Sequence, residues 1–176
     1  MAIHLFQLMK HQLIQIKPRQ SITSIVQLLH LIGMVNILKR SLTTSHYHNN
    51  MSYIVENSVI EQIEVMKSKF VAYLIPLKKE EDFKPLLANL RKEHKKARHI
   101  VYAYRVGMKS KSCDDGEPKG TAGHPLLELL YKKDLTDVAL LVVRYFGGTK
   151  LGAGRLLRTY LQAGINAVDS ASLIQK

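Results

Sequence analysis

The chain has 176 residues and a formal net charge of +12, enough length for one domain with a buried core plus an extension. That charge favours nucleic acid, a ribosome or another acidic surface as partner. A single cysteine, Cys113, excludes an internal disulfide and fits a reducing cytoplasm.

Residues 1–50 differ in kind from the rest: five Lys/Arg, no acids and five of the eight histidines, so +5. The remaining residues hold 21 Lys/Arg and all 14 acids, so +7. The apolar segment from Ile22 to Leu38 is broken by Ser24, Gln27, His30 and Asn36, and is short and polar for a membrane span. It lacks a clean secretory cleavage site, and two arginines are few for a transit peptide. We read Met51 as the true start and residues 1–50 as outside the fold; an organellar presequence or an anchor are the alternatives.

From Tyr53 the pattern becomes that of a folded domain. Val59, Ile63 and Val65 share one side of an extended segment, with Gln62 and Glu64 opposite; Glu61 breaks the alternation. A turn at Lys67-Ser68-Lys69 leads to a second strand, Phe70 to Leu77, making a hairpin. Residues 79–96 read as a helix with the stripe Phe83, Leu86, Leu87, Leu90, starting near Asp82 because Pro85 is tolerated only in a first turn. His99 to Val106 is a third strand with Ile100, Tyr102, Tyr104 and Val106 on one face. A polar loop, Gly107 to Gly123, precedes a short helix opening at Pro125.

Val138 to Val143 is apolar without alternation, the mark of a strand buried on both faces at the centre of a sheet. It runs into Arg144, Tyr145 and Phe146, then meets Gly147, Gly148, Gly152 and Gly154 within eight residues. Leu156, Leu157, Tyr160, Leu161, Ile165 and Val168 follow at helical spacing. A glycine loop feeding a helix start leaves backbone N–H groups open to a phosphate or carboxylate. Lys150, Arg155 and Arg158 add positive charge at that end, and Arg144 joins them if it leaves the sheet plane. The equally simple reading is a tight turn beneath a packed helix. Neither standard nucleotide motif is met: Leu157 stands where the dinucleotide fingerprint needs glycine, and no Lys-Ser/Thr follows Gly154.

Other constellations are weaker. Asp114, Asp115 and Glu117 put three carboxylates in four residues, but the spacing is not that of a calcium loop, and we read a solvated acidic turn with no metal. Cys113 with His99 or His124 is a nucleophile–base pairing lacking a third group. His94 reads as a surface residue of its helix. Tyr102, Tyr104 and Tyr145 are expected to pack in the core rather than stack bases.

Taken together, the motifs resemble the IMPACT/YigZ family. The matching pieces are Lys69-Phe-Val-Ala-Tyr73, Arg91-Lys-Glu-His94, Val101-Tyr-Ala-Tyr-Arg-Val-Gly107, Asp114-Asp-Gly-Glu-Pro118, Gly120-Thr-Ala-Gly123, Arg144-Tyr-Phe-Gly-Gly148 and Lys150-Leu-Gly-Ala-Gly154. The resemblance covers about residues 53–170, in the family's order. It implies an α+β fold like the second domain of the fifth small-subunit ribosomal protein: two layers, a sheet with helices on one face. It also implies a non-enzymatic, translation-linked role without a cofactor, in which RNA, a ribosome or a translation-control protein is bound. Eukaryotic members restrain the starvation-sensing initiation-factor kinase by competing for its activator. On this reading the family-motif loop is Asp114, Asp115, Gly116, Glu117, Pro118 and Thr121. The partner-binding set is Arg144, Tyr145, Gly147, Gly148, Lys150, Gly152, Gly154, Arg155 and Arg158. Arg155 stands where the family usually has glycine. The chain reads as a single-domain form, without the ferredoxin-like domain that follows in bacterial members. An enzyme acting on a phosphorylated small molecule is the alternative, since kinases share the fold.

Overall fold

In the computed structural model, which describes residues 51–176, the long apolar run becomes the middle strand of an antiparallel sheet. The expectation that residues 1–50 stand apart lies outside the described residues. In chain order the elements are β1 (Tyr53–Val55), β2 (Val59–Val65), β3 (Ser68–Pro76), α1 (Phe83–Glu93), β4 (His99–Val106), β5 (Lys109–Cys113), α2 (Gly123–Lys132), β6 (Val138–Tyr145), α3 (Ala153–Asp169) and β7 (Leu173–Gln175). Five strands form the sheet in the order β2-β3-β6-β4-β5; β1 and β7 pair separately.

Every residue of β6 but Tyr145 is buried, so both faces of the sheet need cover. On one face Phe70, Leu74, Leu140 and Val142 pack with Leu126 and Leu130 of α2 and with Leu156, Tyr160 and Ala163 of α3. On the other, Tyr73, Tyr102, Leu141 and Val143 pack with Phe83 and Leu90 of α1. The α+β class stands as the resemblance implies, but the helices are divided between the faces rather than gathered on one. The reason lies in β6 itself, since an apolar strand leaves no face for water. α1 supplies the second layer through large side chains: the Phe83 ring lies 4.7 Å from that of Tyr102 and 4.6 Å from that of Tyr104.

Three local features depart from the sequence reading. The β2–β3 turn is tighter than expected: Val65 pairs with Ser68, and Met66 and Lys67 alone turn the chain at φ of 49° and 62°. Both residues are left-handed, the geometry of a type I′ hairpin turn usually supplied by Asn-Gly. The polar loop after β4 contains β5, a lysine-rich edge strand with no apolar signal of its own. Finally, Leu173–Gln175 returns to pair with Tyr53–Val55.

Candidate functional site

The Asp114–Gly123 segment is not a solvated turn. Asp114 accepts hydrogen bonds from the backbone N–H groups of Gly120 (2.9 Å), Ala122 (3.1 Å) and Gly123 (2.8 Å), tying the loop to the start of α2. Asp115 accepts from the Ile100 N–H at 2.7 Å and from Arg91 at 2.8 Å. Its backbone carbonyl accepts from His99 Nδ1 at 2.7 Å. A carbonyl only accepts, so His99 carries its proton on Nδ1. The Cys113 sulfur accepts the Asp115 N–H at 3.4 Å. Thr121 donates to the Pro118 carbonyl at 2.6 Å and locks the far side. The three carboxylates therefore face three different sets of donors.

Glu117 turns inward. Its Oε1 accepts from Arg144 Nη1 at 2.6 Å and from the Tyr160 hydroxyl at 2.8 Å. Both partners of the ion pair are buried, with side chains 7% (Arg144) and 4% (Glu117) exposed. Burial, then the neighbouring Glu117 carboxylate, pushes the Tyr160 phenol well above its ordinary range. Arg144 lies on the α2/α3 face because it pairs in register with Phe70. Its guanidinium sits 5.4 Å from the Phe70 ring centroid and 5.7 Å from that of Phe146. Arg144 Nε is the one buried side-chain polar atom among the described residues with no hydrogen-bond partner.

The glycine loop closes over this pair. Gly147 is fixed by close approach: a Cβ there would stand 2.0 Å from the Lys67 carbonyl carbon, and its N–H donates to Ser68 Oγ at 3.1 Å. Gly152 precedes α3 with φ +74°, and no side chain caps the helix's first N–H groups. Between the two loops lies a cavity of about 460 Å³. Glu117 and Pro118 line it from one side and Lys150, Leu151 and Gly152 from the other, with Arg98, Arg144 and Phe146 completing the wall. Three cations and one carboxylate thus face it. No described carboxylate lies in ion-pair range of Arg98 or Lys150.

The expected residues divide accordingly. Arg144, Lys150 and Gly152 line the cavity together with Gly116, Glu117 and Pro118 of the other loop. Tyr145 does not: it follows Arg144 on a strand and so points to the opposite face. There its hydroxyl meets His94 Nδ1 at 2.6 Å, while His94 Nε2 meets the Tyr73 hydroxyl at 2.6 Å. His94, expected at the surface, is thus half-buried between two tyrosines. Tyr102 and Tyr104 are core residues as expected. Gly147, Gly148, Gly154, Arg155, Arg158 and Thr121 stand outside the cavity lining. Arg155 rests on the Met66 sulfur, and Arg158 is exposed. At about 100° per helical residue, Arg155 and Arg158 are turned roughly 100° and 200° from Leu156, which faces the cavity. Sequence reading did not place Arg98, His99 or Phe146 at this site. Register supplies His99, which pairs with Arg144 across β4 and β6, and the preceding Arg98 donates its N–H to the Arg144 carbonyl at 3.2 Å. Strand alternation supplies Phe146, two residues beyond Arg144.

Comparison with known proteins adds kinship to this geometry. The family model described as Impact N-terminal domain matches residues 66–168. The chain is 38% identical over 127 residues to IMPACT family member YvyE of Bacillus subtilis, covering 70% of this chain and 58% of that protein. It is 38% identical over 114 residues to IMPACT family member YigZ of Escherichia coli, covering 62% and 54%. The chain spans little more than half the length of these curated relatives. A crystal structure described as that of a hypothetical protein superposes with a TM-score of 0.69 at 32% identity, covering 72% of this chain and 64% of the other.

Proposed function

Because the chain belongs to the IMPACT family through its Impact N-terminal domain, we propose that it is a non-enzymatic, translation-linked regulator that binds RNA, free or on the ribosome. The observation that carries the binding is the cavity between the two loops. Arg98 and Lys150 face it without carboxylate partners among the described residues, beside the uncapped first turn of α3. Helix N–H groups and unpaired cations together attract phosphate. The link to translation rests on the family kinship. Binding is favoured over catalysis because the one carboxylate lining the cavity, Glu117, is held by Arg144 and Tyr160.

The test is sedimentation of the full chain with ribosomes at low and high salt. At low salt the protein is expected in the ribosomal pellet, and high salt releases it, because the attraction is electrostatic. Lys150→Glu should keep the protein in the supernatant at both. Wild-type protein that never pellets, and binds no extracted ribosomal RNA, would overturn the proposal.

A further inference from the structure

At about 460 Å³ the cavity has the size of a small-ligand site. Its charge is matched to a dianion: Glu117 neutralises Arg144, leaving Arg98 and Lys150 as two cations with no ion pair among the described residues. An internal phosphodiester brings one negative charge, whereas a terminal phosphate monoester brings up to two near neutral pH. Arg144, with a side chain only 7% exposed and an unpartnered Nε, lines the same cavity as the first turn of α3. Apart from His99, the remaining wall is apolar and partly aromatic. Phe146, 41% exposed, offers a ring face there, and Pro118 and Leu151 flank the space.

We propose that the cavity receives the terminal phosphate of a nucleotide, with the phosphate at the start of α3 between Arg98 and Lys150 and the base against Phe146. This deepens the RNA-binding reading and rests on it for the site. Two sources carry this chemistry: the 5′-phosphorylated end of an RNA and a free nucleoside 5′-monophosphate.

Calorimetry on the full chain separates them, using adenosine, AMP, and one eight-nucleotide RNA with either a 5′-phosphate or a 5′-hydroxyl. The phosphorylated RNA should bind about ten-fold tighter than its hydroxyl twin, the scale of one or two charge-assisted contacts. Adenosine should not bind measurably. Arg98→Glu and Lys150→Glu should each erase the preference with an unchanged melting temperature. Phe146→Ala should weaken AMP while leaving inorganic phosphate unaffected. Equal affinity for the two RNAs, with no AMP binding, overturns the terminal-phosphate inference and leaves the RNA reading standing. AMP binding without RNA or ribosome binding supports the inference with the free nucleotide as source, and removes the RNA reading. No binding by any probe removes both.

Discussion

The loop from β5 to α2 and the loop from β6 to α3 meet at one cavity, yet they use their charges in opposite ways. In the first, each charged side chain that matters is consumed inside the protein. Asp114 holds three backbone N–H groups, Asp115 holds Ile100 and Arg91, and Glu117 holds Arg144 and Tyr160. In the second, Lys150 projects without a described carboxylate partner, and the helix start behind it is uncapped. The first loop is scaffold and the second is surface. Arg144 belongs to both: its sequence neighbours are those of the glycine loop, while its ion pair belongs to the acidic one. A carboxylate-rich motif and a cation-rich motif therefore form one unit, in which the acidic half fixes the floor of the basic half.

Glu117→Ala should cost the acidic loop the most. It leaves Arg144 buried without its counter-charge, and breaking such a pair typically costs about 3–5 kcal/mol. Urea unfolding should show a midpoint shifted down by that amount at unchanged slope. Replacing both partners, Glu117→Gln with Arg144→Met, should recover much of the loss, because no charge then remains buried. A midpoint for Glu117→Ala within ~0.5 kcal/mol of wild type would place Glu117 among ordinary surface residues.

Alkali probes the same anchor through Tyr160. Its phenol is raised above the ordinary value of about 10 by burial and by Glu117, so the folded protein keeps a proton that the unfolded chain releases. The stability it contributes is complete below pH ~10 and is lost as pH climbs further, by about 1.4 kcal/mol per pH unit for one such group. Tyr73, Tyr102 and Tyr104 are raised too, Tyr104 to about 12 by burial and its bond to Glu80. Denaturant melts between pH 8 and 11 should thus show a fall that Tyr160→Phe reduces but does not abolish. An identical alkaline fall in Tyr160→Phe would show that the anchor takes no part in it.

How much of this was legible beforehand depends on what each feature owes to its own residues. The central strand was legible because Val138 to Val143 carries the signal of burial in every position. The same signal contradicted helices on a single face, since a strand apolar on both sides needs two covers. Strand alternation also forbade Arg144 and Tyr145 from sharing a site, a consequence available from adjacency alone. Other features were not local. β5 is lysine and serine on an edge, where no apolar side is required. The Met66-Lys67 turn lacks the glycine that announces such geometry. Glu117 reads as one more surface acid until β6 delivers Arg144 beside it, and Arg98 enters only because the chain leading into β4 bonds to the Arg144 carbonyl. Charge in a sequence is thus a poor guide to exposure: the partner across the fold decides it.

The smallest expected effect is the most discriminating for the second loop. Arg155 on the flank of α3 and Arg158 on its far side are exposed and stand outside the cavity lining, whereas Lys150 lines it. Reversing Arg155 and Arg158 together removes more positive charge than reversing Lys150 alone. If attraction to RNA were diffuse, the double variant would therefore lose more affinity. If the cavity is the site, the order inverts. At 0.15 M salt, exposed charges that make no contact with the bound phosphate are weakened by screening, so the double variant should change affinity by less than about two-fold. Lys150→Glu should lose about ten-fold or more, and all variants should keep wild-type stability within ~0.5 kcal/mol. The salt dependence gives a second reading of the same contrast. Two phosphate contacts from Arg98 and Lys150 to a single strand predict a log–log slope of about −1.4 for the wild type. That slope should persist in the Arg155→Glu, Arg158→Glu double variant and flatten in Lys150→Glu. A steeper wild-type slope that the double variant flattens would move the binding surface to the outer face of α3, and the division between scaffold loop and binding loop would no longer hold.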